Sequence, residues 1–142
     1  MSIAWPTGTD IALGLQMTLA GVLAGIVGWQ RHRAGRPAGV RTHALVAMAA
    51  AAFAGAGAAG FPGAGPHDPL RVAAQVVSGV GFLGAGTIFR SRDRVYGLTT
   101  AATLWFAAAL GILVAVGLAW TAVWATGLSL LVLVAASVFE RD

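Results

Sequence analysis

Long apolar blocks, separated by short polar stretches that carry the arginines, dominate this chain. Four blocks, near residues 11–29, 42–60, 98–117 and 120–139, reach the roughly 20 residues that a helix needs to cross about 30 Å of hydrocarbon. A fifth block, 72–89, is slightly short but lies between charged flanks. The pattern predicts an all-α integral membrane protein with five transmembrane helices, forming one domain over residues 1–142. The flank ahead of the first block, MSIAWPTGTD, has no basic residue and contains Asp10, so that block is expected to stay in the mature chain rather than act as a removable signal.

Composition agrees with a bilayer. With 58% hydrophobic and 10% charged residues, there is too little polar surface to cover a water-soluble globule of 142 residues. All nine basic residues are arginines, and the net charge of +4 comes from the connections between spans, which argues against a nucleic-acid face. Cysteine is absent, which removes disulfides, thiolate metal sites and cysteine nucleophiles.

The arginines also set the orientation. Arg31, Arg33, Arg36 and Arg41 flank the first connection, Arg90, Arg92 and Arg94 fill the third, and Arg141 follows the last span. Five alternating spans put these eight on one side and Arg71 alone on the other, which by the positive-inside rule places the N-terminus outside and the C-terminus in the cytoplasm. Trp5, Phe61, Trp120 and Trp124 then fall near the outer interface, and Trp29, Phe89, Tyr96 and Phe139 near the inner one.

Local signals refine the elements. Asp68 and Pro69 suit the cap and first position of the third helix, although Asp68 could instead pair with Arg71 at an outer vestibule. The RPAG turn at 36–39 separates the first two helices. The two arginine-rich connections share a pattern, an aromatic and Arg-x-Arg followed by Gly-[Val/Leu]-x-Thr, which matches Trp29 with Phe89, Gly39 with Gly97 and Thr42 with Thr100. Such a repeat would be related by an axis along the membrane normal.

On the first helix Gly14, Thr18, Gly21, Gly25 and Gly28 fall within a stripe of roughly 80°. In lipid such small residues allow close backbone approach, either to another helix of the same chain or to a second copy. Ser78, Gly81 and Ala85 form a second small face, on the third helix, and Gly79 with Gly86 a third, which predicts tight contact on more than one side of that helix. The string Gly79-Val80-Gly81-Phe82-Leu83-Gly84 has dinucleotide-loop lettering but no preceding strand, so it is not read as one.

Gln16 and Gln75 lie within spans, where interhelical hydrogen bonds are expected of their amides. Gln30, Arg31, Arg41, Thr42, His43, Thr87, Arg90, Thr99, Thr100 and Thr103, from four helices, gather near the inner ends and suggest a site. Arginines at helix ends commonly snorkel, but Arg41, just behind a glycine, is placed to meet a phosphate, a carboxylate or an anionic lipid headgroup. His43 is read either as a pH-sensitive group or as a packed interfacial residue. No predicted span has Asp or Glu in its interior, which gives Mg²⁺ transport little support, because that ion needs oxygen ligands and dehydrates reluctantly. No metal site, cofactor site or catalytic constellation is expected, and the chain is not read as an enzyme.

Four motifs, in order, resemble the transmembrane domain of the MgtC/SapB family of bacterial inner-membrane proteins. They are G-x-x-x-G from Gly21, GVRTHAL from Gly39, DPLRVAAQVVSGVGFLGAG from Asp68 and GLTTAATLW from Gly97. The resemblance implies a regulatory inner-membrane protein tied to low-magnesium adaptation and virulence, with ATP synthase a possible membrane partner. It points to Arg41, Thr42, Asp68, Arg71, Gln75, Ser78, Thr99, Thr100 and Trp105 as binding residues, and to Gly81, Gly84 and Gly86 beside Gly21, Gly25 and Gly28 for helix packing. Where the family commonly has G-x-E-R-E after the first helix, this chain has Gln30 and His32 in place of both acids. Longer members carry a soluble C-terminal domain that is not expected here. The expected partners are membrane lipids and a second copy in a homo-oligomer, a dimer being favoured. The expected action is binding of a membrane partner or anionic ligand, the alternatives being a small-solute or Mg²⁺ transporter and a structural membrane subunit.

Overall fold

The computed structural model describes residues 7–59 and 68–139. Trp5, Phe61, Arg141 and the end of the second expected span at Gly60 lie outside the described residues, as does the side chain of Phe139. Five helices follow in order: α1 (Gly8–Arg33), α2 (Val40–Ala59), α3 (Pro69–Gly86), α4 (Leu98–Ala115) and α5 (Ala119–Phe139). Between α3 and α4 stands a short ribbon of β1 (Phe89–Ser91) and β2 (Arg94–Tyr96).

Helix boundaries follow from local chemistry. Thr7 caps α1 reciprocally: its hydroxyl accepts from Asp10 N at 3.3 Å and its own N–H donates to Asp10 Oδ2 at 2.7 Å. Arg31, His32 and Arg33 close the helix where the dipole is negative. The chain then reverses through Gly35, whose φ of +69° suits a residue without a side chain. Asp68 caps α3, its Oδ1 accepting from Leu70 N at 2.9 Å, so the capping reading holds over the vestibule pair.

The third connection departs from the all-helical expectation. Helix α3 stops at Gly86, short of 89, because Thr87 takes the cap position and Phe89, Val95 and Tyr96 favour extended backbone. Phe89 pairs with Tyr96, Arg90 with Val95 and Ser91 with Arg94, and the Phe89 and Tyr96 rings stack at 5.3 Å. Arg92 turns the ribbon with φ 51°, and Gly97 ends it with φ +88°. A side chain at Gly97 would overlap the Thr87 carbonyl, so glycine is required there.

Helices α1, α2 and α4 form the centre, with α3 packed on α2 and α4, and α5 on α4 and α1. The core is mostly alanine, with Ala20, Ala24, Ala47, Ala51 and Ala107 closed over by Leu23, Leu110 and Val114. Helix approach is closest at two glycines. A Cβ at Gly28 would lie 2.7 Å from the Gly39 carbonyl oxygen, and one at Gly111 would overlap the Ala47 carbonyl. Helices α1, α2, α4 and α5 are long and apolar enough to cross a membrane, while the apolar part of α3, Leu70–Gly86, is shorter.

The glycine stripe of α1 packs within the chain over its second half. Gly21 faces Met48, and Gly21, Gly25 and Gly28 are buried, whereas Gly14 and Thr18 stay exposed. On α3, Gly84 is buried against Ala101, at 3.5 Å from a Cβ built on the glycine. Gly81 and Gly86, expected to serve helix packing, have nothing within 4 Å because α3 turns the opposite side to α2 and α4. Gln16 makes the expected interhelical bond, donating from Nε2 to the Ala115 carbonyl at 3.4 Å. Gln75 is exposed and makes none among the described residues.

Candidate functional site

Three helices bring polar side chains together at the arginine-rich end. On α1 the inward face Ala20–Ala24–Val27 continues, at helical spacing, to Arg31, which is only 5% exposed. The first turn of α2 delivers His43, fully buried on the same face as Ala47, Ala50 and Ala54. Helix α4 adds buried Thr100 and Thr103. Arg31 lies within Coulombic reach of the His43 ring.

Hydrogen bonds fix the imidazole. His43 Nδ1 lies 2.9 Å from the Gly39 carbonyl oxygen, which only accepts, so Nδ1 carries a proton. Nε2 lies 3.0 Å from Thr103 Oγ1, and that hydroxyl lies 2.9 Å from the Thr100 carbonyl oxygen. A hydroxyl has one proton to give. With a neutral ring Thr103 donates to Nε2; with a protonated ring Nε2 donates to Thr103, which donates on to the Thr100 carbonyl. Ring charge and hydroxyl orientation are thereby tied together. On α1, next to Arg31 in the chain, the buried Oε1 of Gln30 has no hydrogen-bond partner among the described residues.

A recess of about 320 Å³, lined by His32, Pro37, Gly39, Val40, Arg41 and Thr42, opens on the outer side of the same junction. Gly39 belongs to both, its carbonyl holding His43 and its backbone lining the recess. Arg33 stacks over the Trp29 ring at 4.3 Å, and Arg36 and Arg41 are exposed nearby in the chain. On the ribbon, Arg90 Nε donates to the Arg92 carbonyl at 3.3 Å, and a second polar recess of about 530 Å³ is lined by Ser91, Arg92, Asp93, Arg94 and Tyr96.

The expected binding residues divide into separate groups. Arg41 and Thr42 line the recess, whereas on α4 Thr100 is buried with Thr103 and Thr99 is exposed at the start of the helix. Trp105 is 51% exposed, two turns further along α4. Asp68 and Arg71 stand at the opposite end of α3 from the ribbon, and Gln75 and Ser78 lie on its exposed face, so these four do not join Arg41. Arg31 and His43 join Thr100 and Thr103 as the buried members of the convergent polar group. Their spacing to the inward alanines of α1 and α2 is the sequence signal that marks them.

Membrane-type helices carrying a buried polar junction and arginine-bearing connections at one end define a multi-pass helical membrane protein. Residues 17–142 match the MgtC family, and the chain belongs to that family. It is 40% identical over 124 residues to a protein named putative magnesium transporter YhiD in Escherichia coli K12, covering 84% of this chain and 58% of that one. It is 50% identical over 97 residues to protein MgtC of Brucella abortus strain 2308 (68% of this chain, 40% of that one), and 46% identical over 103 residues to protein MgtC of Salmonella typhimurium 14028s (72% and 43%). The chain thus spans about half the length of these relatives. No solved structure matches it.

Proposed function

We propose that this chain is a regulatory protein of the bacterial inner membrane that binds an anionic group, from a lipid headgroup, a small phosphate or carboxylate ligand or a membrane partner, at its cytoplasmic end. The recess at Arg41 and Thr42, backed through Gly39 by the buried His43 relay, carries this reading. Exposed arginines supply charge-assisted donors for a phosphate or carboxylate, and those next to the bilayer surface also attract anionic lipid. The low-magnesium role that the family resemblance implies is then one of response rather than conduction. Past Asp10, in the first turn of α1, no helix contains Asp or Glu, and among the described residues no group of three His, Cys, Asp or Glu is placed to hold a metal ion.

The name of the Escherichia coli relative supports a second reading, Mg²⁺ transport. One set of reconstitutions separates the two. Native mass spectrometry from nanodiscs containing phosphatidylglycerol, or from phosphatidylcholine discs with added inorganic phosphate, should show retained anion. Retention should fall at least fivefold in Arg36→Ala/Arg41→Ala and stay unchanged in Arg71→Ala; the lipid and phosphate arms tell the two sources apart. Equal retention by all variants overturns the proposal, and a protein-dependent Mg²⁺ flux into liposomes establishes the second reading.

A further inference from the structure

Helix α3 leaves a polar face exposed on the bundle. At 100° per residue, Arg71, Gln75, Ser78 and Phe82 fall within about 60° of one another. They lie opposite Val76, Val80 and Gly84, the buried side of the helix. Gln75 sits about 9 Å from the start of α3, inside the hydrocarbon of any bilayer that the helix crosses. Neither its amide nor the Ser78 hydroxyl has a partner among the described residues. Acyl chains offer no hydrogen bonds, and polar side chains at this depth ordinarily face protein.

The same face has a projection and a recess. Phe82 is 82% exposed, and Gly79 and Gly86, about 40–60° around the helix from it, have nothing within 4 Å of where a Cβ would stand. We propose that this face is covered by the same face of a second copy of the chain, α3 against α3, about a two-fold axis along the membrane normal. Under that symmetry each residue meets its counterpart at its own depth. Two Gln75 amides then pair reciprocally, since each both donates and accepts. Arg71, one turn outward from Gln75, meets its counterpart at the water boundary, where solvent and salt screen the two like charges. Each Phe82 ring enters the gap that Gly79 and Gly86 leave on the other copy. A lipid tail would fill that gap but leave Gln75 unsatisfied; a second copy does both.

Because the chain has no cysteine, Ser78→Cys creates a single thiol. Mild oxidation of native membranes should give at least tenfold more covalent dimer with Ser78→Cys than with Leu128→Cys, a control on the exposed side of α5. Adding Gln75→Leu should lower the yield roughly three- to tenfold, the size of one membrane hydrogen bond. In native mass spectrometry from nanodiscs the wild type should be dimeric, and Gly79→Leu/Gly86→Leu monomeric with unchanged thermal stability of the monomer, since nothing within the chain occupies that space. The proposal is overturned by a monomeric wild type, by equal or stronger cross-linking at position 128, by a dimer indifferent to Gln75→Leu, or by a Ser78→Cys adduct whose mass is that of a different protein.

Discussion

The two helical hairpins, α1–α2 and α3–α4, follow the same plan of glycines, aromatic, Arg-x-Arg and Gly-[Val/Leu]-x-Thr, yet they pack unlike each other. In the first, Gly28 rests on the backbone of Gly39 and Val40, and Gly21 rests on Met48. In the second, only Gly84 touches the following helix, through Ala101, and Gly79, Gly81 and Gly86 face outward. The matched threonines diverge as well, Thr42 being exposed and Thr100 buried. A glycine run therefore marks a surface that something can approach closely, while its partner depends on how each helix is rotated. The first hairpin spends its small surface inside the chain. The second leaves it on the outside.

The sharpest way to break this contrast is to add volume to both hairpins. Gly28→Ala should cost about 1–3 kcal/mol, because the new methyl meets backbone that cannot rotate away, and Gly28→Leu should abolish folded yield. Gly81→Ala, in open space, should be neutral or stabilise by up to about 1 kcal/mol through helix propensity. Thermal unfolding in detergent measures both, and equal shifts would erase the distinction between the hairpins.

Next in size is the relay at the polar junction, to which the first hairpin gives His43 and the second Thr103 and the Thr100 carbonyl. His43→Leu leaves the Gly39 carbonyl and Thr103 without their ring partner and should cost about 1–3 kcal/mol. His43→Gln, which keeps a donor and an acceptor, should recover part of that loss in the same assay.

Orientation is tested by cysteine labelling at exposed positions of the connections. Ala38 is only 5% exposed and would stay silent in either orientation, so Arg36→Cys and Ser91→Cys, both exposed, serve better. Both should resist an impermeant thiol reagent added outside intact cells, and Leu118→Cys, in the connection between α4 and α5, should react. Reaction at Ser91→Cys from outside would invert the assignment. The smallest expected effect is at a helix start: Asp68→Ala should lower stability by about 1 kcal/mol through loss of its bond to Leu70 N, and Asp68→Asn by less.

Five helices, their approximate limits, the Asp68 cap and the turn after Arg33 were all legible in the sequence, because apolar length and capping residues act locally. The ribbon at 89–96 was not, since an arginine-rich tether of that length reads as a loop until Phe89 and Tyr96 are seen to pair across it. At the junction, GVRTHAL drew attention to Arg41 and Thr42, but the inward member is His43. A motif names neighbours in sequence, and a helix sends them 100° apart. Arg31 was hidden for a related reason: one end-of-helix arginine among several shows its burial only through its spacing to Ala20, Ala24 and Val27.

The alanine centre has a mechanical consequence. Alanine has no side-chain torsions to lose, so bringing α1, α2 and α4 together costs almost no side-chain entropy. The same economy removes the usual means of absorbing a disturbance, because a core of methyl groups has no alternative rotamers to adopt. A shift at Arg31 or His43 can be accommodated only by sliding or turning whole helices, which makes the centre a stiff transmission running from the arginine-rich end to the far ends of the bundle.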